Sequence, residues 1–323
     1  MKITASAPGK LMLLGEHAVV YGYPCIVTAV DLRFSVTIER DPQAQISVDT
    51  PVLRKNDRVF STSMRQVLEQ STYPRAVAFV LAAIKQFYSL YPFQDGLKIT
   101  TAGPEISYGL GSSSAITAAM VAALAELNQV RLTLQEIYSI AFDAVLAVQG
   151  KGSGFDVAAA VYGGTLYFGQ GGQVIEILHQ KDLPVVIGFS GDKVSTTNLV
   201  QQVAGLKERY PDHVAGIFNL IGKIVVEGRK RIEAGEWENL GGLINLNQGL
   251  LEALGVSTLQ LSRQIYAARE HGAYGAKLSG AGGGDCMFAL VGAEKREAVS
   301  WGIEQAGGVI VPNSLNADGV RIE

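Results

Sequence analysis

Alternating, β-branched runs mark strands early in the chain, and apolar residues at three- and four-residue spacing mark a helix within 62–90. KITASAPG and KLMLLGEHAVV predict two early strands about a tight Pro8-Gly9 turn, and the β-branched CIVTAVD and FSVTIER predict two more. Within 62–90, TYPRAVAFVLAAIKQFYSL has helical spacing, and GLKITTAG follows as a short strand. SSSAITAAMVAALAEL predicts a strong helix with serines available to cap it. TLQEIYSIAFDAVLAVQG predicts another, with Thr133 and Glu136 at capping-box spacing.

The second half predicts a hairpin in GGTLYFGQGGQVIEIL, a buried strand in PVVIGFS, and helix from about 196 to 238 broken at Pro211. LSRQIYAAREHG predicts a helix stopped by Gly272, followed by the strand CMFALV, a helix over 293–306, and a final strand pair, GVIVP with GVRIE. Runs of strands mixed with runs of helices predict an α+β fold rather than a doubly wound parallel sheet. A boundary is expected at the glycine-rich stretch 169–172, dividing the chain into 1–168 and 169–323.

Composition narrows the function. The 323 residues are 48% apolar and 18% charged, enough to bury a sizeable core. Net charge is −3 with basic residues scattered, which argues against nucleic acid as the main partner. The N-terminus lacks the pattern of a signal peptide, and no apolar run reaches membrane-spanning length. Cys25 and Cys286 lie in apolar runs without metal-ligand spacing, as expected of buried thiols in a reducing cytoplasm. The four histidines form no cluster in sequence, which argues against a protein metal cage.

The 37 glycines concentrate in loops. YGLGSSSA, at 108–115, feeds the strongest helix. Backbone N–H groups, a helix N-terminus and hydroxyls together suit a phosphate, although a well-capped helix shows the same letters. It lacks the Gly-Lys-Ser/Thr of a Walker A loop and the third glycine of a dinucleotide fingerprint. KLSGAGGGDC, at 277–286, suits either a tight crossover or a loop laid against a ligand. SAPGKLMLLGEHAVVYG, at 6–22, carries Lys10 and His17. GKGSGFD, at 150–156, delivers one carboxylate, Asp156, to the start of an apolar run, where it is either a cap or a base.

These stretches, in this order, resemble the signature motifs of the GHMP kinases across nearly the whole chain. GEHAVVYG and AVDLR are similar to mevalonate kinases. GKGSGFDVAAAVYGG, SGAGGGDC and GDKVSTTNLV look like phosphomevalonate kinases. The resemblance implies a two-domain fold with a ribosomal-protein-S5-like N-terminal domain and a ferredoxin-like C-terminal domain. It also implies transfer of the γ-phosphoryl group of ATP, with Mg²⁺, to mevalonate or to 5-phosphomevalonate, and it is compatible with a homodimer.

Residue by residue, the resemblance makes Asp156 the catalytic base and Lys10 the cation at the developing alkoxide and γ-phosphate. Gly109, Leu110, Gly111, Ser112, Ser113 and Ser114 form the nucleotide loop, with Ser113 a Mg²⁺ ligand. Glu16, His17, Thr196, Thr197, Gly280, Ala281 and Gly282 face the acceptor. Mevalonate kinases commonly carry a Mg²⁺-binding glutamate eleven residues before the aspartate, where this chain has Val145, and Glu16 is a candidate substitute. A phosphorylated acceptor adds roughly two negative charges and calls for further cations, for which Arg33, Lys151 and Lys193 are candidates. An intact GEHAVVYG favours mevalonate itself. A non-catalytic binding relative is the third reading, and retention of both Lys10 and Asp156 argues against it.

Overall fold

The computed structural model describes residues 1–55, 58–93, 95–104, 108–179, 183–192, 196–312 and 314–323. The two early strands are one. β1 (Lys2–Leu14) pairs antiparallel with the long β2 (Cys25–Asp41), which likewise runs unbroken through the two strands expected in CIVTAVD and FSVTIER, and the register slips between Pro8 and Gly9. Proline cannot donate to the ladder, so the pair makes a bulge that re-aims the strand without ending it. AVVY, expected to extend a strand, is a short 3₁₀ turn.

The first sheet continues with β3 (Gln45–Asp49), β4 (Phe60–Ser63), β5 (Gly96–Ala102), β6 (Thr165–Gly169), β7 (Val174–Leu178) and, from the far end of the chain, β12 (Arg321–Ile322). Its order is β12-β1-β2-β5-β3-β4, with the β6–β7 hairpin on the other half of β2. The second sheet comprises β8 (Val185–Phe189), β9 (Gly275–Leu278), β10 (Cys286–Leu290) and β11 (Val309–Val311), in the order β11-β8-β10-β9 and antiparallel throughout. The expected C-terminal strand pair is therefore split: β11 joins β8 and β12 joins β1. The chain passes between sheets after Leu178, so residues 168 and 169 lie inside the β6–β7 hairpin.

In the first half, α1 (Pro51–Arg54), α2 (Met64–Glu69), α3 (Ala78–Leu90), α4 (Ser112–Leu127), α5 (Leu134–Gln149) and α6 (Phe155–Tyr162) are helices. α4 is buried on nearly every face, and its alanines let β1, β2, α3, α5 and α6 approach closely. The Thr133–Glu136 capping box forms at the start of α5. In the second half come α7 (Thr196–Arg209), α8 (Pro211–Ala234), α9 (Trp237–Ala253), α10 (Leu259–Glu270) and α11 (Arg296–Gln305). Pro211 begins α8, where its missing N–H costs nothing.

α9 is the longest helix the sequence pattern did not announce, and the short α1 and α2 went unannounced as well. Gly241, Gly242 and Gly249 weaken its helical signal. Gly241 is there for packing, since a Cβ would collide with Tyr274. Asn245 and Gln248 of this helix hydrogen-bond the open edge of β9 at Ala276 and Leu278.

Alternation along β1 buries both of its faces. Ala5, Ala7 and Met12 join the core under α3–α6, while Leu11 and Leu13 join an apolar layer with Val185, Ile187, Ile224 and Phe288 of the second half. That layer holds the two sheets together beside the glycine loops.

Candidate active site

The bulge in β1 places Lys10 at the junction of the glycine-rich loops. Its backbone N–H donates to Leu110 O at 2.8 Å, pinning the 108–115 loop to the strand. Its side chain runs along Gly111, where a Cβ would stand 2.9 Å from Lys10 Cγ. The ammonium lies 5.8 Å from the centre of the Phe155 ring, and a Cβ on Gly280 would be 3.7 Å from Nζ. One lysine therefore meets the nucleotide loop, the neighbour of Asp156 and the third glycine loop.

Two helices open at this point. Gly111 turns the chain at φ 82 and is the N-cap of α4, so no side chain caps that helix and its first-turn N–H groups face the loop mouth. The expected serine cap is thus absent. Ser114 is buried and donates instead to Asp156, Oγ to Oδ2 at 2.6 Å. Gly154, at φ 87, opens α6, and Asp156 lies in the first turn with Val157 N donating to Oδ1 at 3.1 Å. Asp156 is therefore not the N-cap. It is a half-buried carboxylate held between two helix N-termini.

The 277–286 loop is fixed to Val256 on one side and to the start of the nucleotide loop on the other. Gly282, at φ 84, has no room for a Cβ against Val256 O, and Gly283 N donates to the same oxygen at 2.7 Å. Asp285 holds a left-handed φ of 56, and its carboxylate fills the space a Cβ on Gly109 would need. The Cys286 thiol donates to Tyr108 O at 3.1 Å, and burial pushes its pKa up to about 12. Cys25 and Cys286 are both free and buried.

His17 lies at the other end, buried and at a positive φ of 59 with ψ −47, in a tight turn closed by Ala18 N donating to Glu16 O at 2.6 Å. Its Nε2 is 2.9 Å from Ala281 O. A carbonyl only accepts, so Nε2 carries the proton. Burial lowers the His17 pKa, so the ring is neutral and Nδ1 remains an acceptor. Glu16, expected at the acceptor, turns inward to Lys277, and both side chains are fully buried. Burial raises the Cys25 pKa, and Glu16 and Asp156 raise it further while Lys10 opposes them, so this thiol lies within the field of all three charges.

Thr196 and Thr197 begin α7, but their side chains lie outside the described residues, as does Lys193. Lys151 is exposed. Arg33 is committed elsewhere, donating to Ser6 and to the carbonyls of Asp318 and Gly319.

Among the described residues no group of three His, Cys, Asp or Glu side chains converges on a metal position. Val145 faces the core, and Glu16 is taken by Lys277. Ser113 and Asp156 remain, a sparse oxygen set of the kind Mg²⁺ accepts when phosphates and water complete its shell. Sequence reasoning missed Lys277 and Ser279. A lysine within an apolar strand was the available signal for the first, because a buried cation needs a partner. For Ser279, which clasps Met12, the sequence offered none.

Similarity to known proteins agrees with this geometry. The family model "GHMP kinases N terminal domain" matches residues 76–164, and "GHMP kinases C terminal" matches residues 229–302. The mevalonate kinase of Thermococcus sibiricus is 38% identical over 332 residues, covering 100% of this chain and 99% of that protein. The crystal structure of Methanococcus jannaschii mevalonate kinase superposes with a TM-score of 0.82 at 27% identity, covering 100% of this chain and 98% of the other. That of L. major mevalonate kinase in complex with R-mevalonate gives 0.78 at 27% identity, covering 97% and 95%. Full-length kinship and three loops meeting at one lysine lead to one assignment: the chain belongs to the GHMP kinase family.

Proposed function

We propose that this protein is a mevalonate kinase, transferring the γ-phosphoryl group of ATP to the 5-hydroxyl of mevalonate. The observation that carries the reading is the convergence of Lys10, Asp156 and the Gly111 loop at the open end of α4. Full-length similarity to mevalonate kinases supports the choice of acceptor.

In this reading the hydroxyl oxygen attacks the γ-phosphorus as the bond to the β-bridging oxygen breaks and ADP leaves. Asp156 accepts the hydroxyl proton, and Ser114 holds the carboxylate in place for it. Lys10 meets the charge that develops on the transferring group, where fixed cations act most strongly. Gly109, Leu110, Gly111 and Ser112 cradle the triphosphate with the free N–H groups of α4. Ser113 and Asp156 are the residues that would hold Mg²⁺, which when bound neutralises phosphate charge. His17 presents an acceptor nitrogen at the acid's end, with Gly280, Ala281 and Gly282 closing over it. Thr196 and Thr197 stay in the proposal as acceptor-side residues on sequence grounds.

The phosphomevalonate alternative needs extra cations. Arg33 is bound to the C-terminal segment and Lys151 is exposed, so neither supports it. We also place the protein in a reducing compartment such as the cytoplasm, supported by its two free buried thiols. The division at 168 and 169 is kept as a proposal, with the passage between sheets after Leu178 favouring a slightly later boundary. An ATP-consumption assay with mevalonate and 5-phosphomevalonate side by side tests the function. Turnover with neither removes the kinase reading, and turnover with the phosphorylated acid alone removes mevalonate as acceptor.

A further inference from the structure

Two segments 261–267 residues apart are joined by three links, two buried and one part-buried. Ser279 Oγ accepts from Met12 N and donates to Met12 O, each at 2.9 Å. His17 Nε2 donates to Ala281 O at 2.9 Å. Between these, Lys277 Nζ contacts Glu16 Oε1, and neither side chain is exposed at all. The ammonium also donates to Leu278 O at 2.7 Å and lies 5.4 Å from the centre of the Phe288 ring. The second carboxylate oxygen, Glu16 Oε2, is buried without a hydrogen-bond partner.

A buried ion pair is a poor source of stability, because losing water costs both ions about what their attraction returns. One with an unsatisfied oxygen is poorer still. What such a pair does impose is mutual dependence, since displacing either partner leaves the other an uncompensated buried charge. Its neighbours here are specific. Glu16 precedes His17, and Lys277 lies two residues before Ser279 and three before the Gly280 turn.

We infer that Lys277 is a positioning residue: through Glu16 it sets the backbone that holds His17 in its positive-φ turn and aligns His17 with the 280–283 loop at the acid's end of the site. The inference rests on the kinase reading for the identity of that acid. Neither Lys277 nor Glu16 hydrogen-bonds to Lys10, Asp156 or residues 108–115, so the pair acts on the acceptor and not on ATP.

The test separates position from stability. Lys277→Met alone leaves Glu16 charged and uncompensated, and a large fall in Tm is expected whatever the role. In Glu16→Gln/Lys277→Met both charges are gone, and Tm is expected to return close to wild type. With wild type first shown to turn over its acid, KM for that acid is expected to rise about tenfold or more in the double variant, equivalent to losing about 1.4 kcal/mol of binding. KM for ATP is expected to stay within about twofold. A double variant with wild-type KM for the acid, or with both KM values raised together, overturns the inference. Glu16→Gln alone serves if the double variant does not fold, with the same split expected and the same result contradicting it. A readout independent of turnover is the Nε2 proton of His17. It is expected as a slowly exchanging NMR resonance in wild type and lost in Glu16→Gln, and its persistence there overturns the inference even if the acceptor proves to be another acid.

Discussion

Removing one hydroxyl, by Ser114→Ala, tests how the carboxylate at residue 156 is held. Ser114 Oγ donates to Asp156 Oδ2 at 2.6 Å, the length of a charge-assisted bond. Such bonds are worth about 1.5–3 kcal/mol when deleted. Ser114 is buried, but Asp156 is half-exposed, so water replaces part of the lost bond and the lower figure applies. At about 1.4 kcal/mol per tenfold in rate, kcat is expected to fall about tenfold. The other carboxylate oxygen keeps Val157 N, so Asp156 stays in the first turn of α6. Tm is expected to drop by only a few degrees, because each kcal/mol shifts Tm less as the chain grows longer. Steady-state ADP release gives kcat, with Asp156→Asn as the floor and Ser114→Thr, which keeps a hydroxyl, as the control. A Ser114→Ala enzyme within twofold of wild type in kcat would refute the reasoning. So would a threonine control no better than alanine.

Two further outcomes follow from the geometry. Burial lowers the folded-state pKa of His17 below its ordinary value of 6.5, so between that lowered value and 6.5 the unfolded chain binds more protons. Stability therefore falls as pH drops below about 6.5, and His17→Gln should flatten that part of a Tm-against-pH curve, whereas an unchanged slope contradicts a buried neutral ring. Arg33 makes bonds of 2.7–3.0 Å to Ser6 Oγ, Ser6 O, Asp318 O and Gly319 O. Arg33→Ala is expected to cost about 2–4 kcal/mol in denaturant unfolding and leave KM for the acceptor unchanged; a raised KM would return Arg33 to the site.

What the sequence made legible follows its strongest local signals. α4, α5 and strands such as β5, β8 and β10 were readable because alternation, helical spacing and the Thr133 capping box agree with their tertiary surroundings, whereas β3, β4 and β9 carried no such signal. The Pro8-Gly9 pair misled, because a bulge and a turn use the same residues and only the partner strand decides between them. α9 was hidden by three glycines, and the purpose of Gly241, close approach to Tyr274, exists only in the folded chain. At the site, Lys10 and Asp156 stood out as charges beside glycine turns. Ser114 was grouped with the phosphate loop because its letters match, whereas helix geometry turns its hydroxyl toward Asp156. Glu16 was read as facing a ligand because its partner, Lys277, lies 261 residues away and no local pattern joins them.

Phosphorus NMR of the product from purified enzyme, ATP and mevalonate tests the central claim most directly. The account predicts one new phosphomonoester resonance on the 5-oxygen of mevalonate, growing in step with ADP. Inorganic phosphate in place of that ester, or no ester from mevalonate while 5-phosphomevalonate yields a diphosphate, would contradict it.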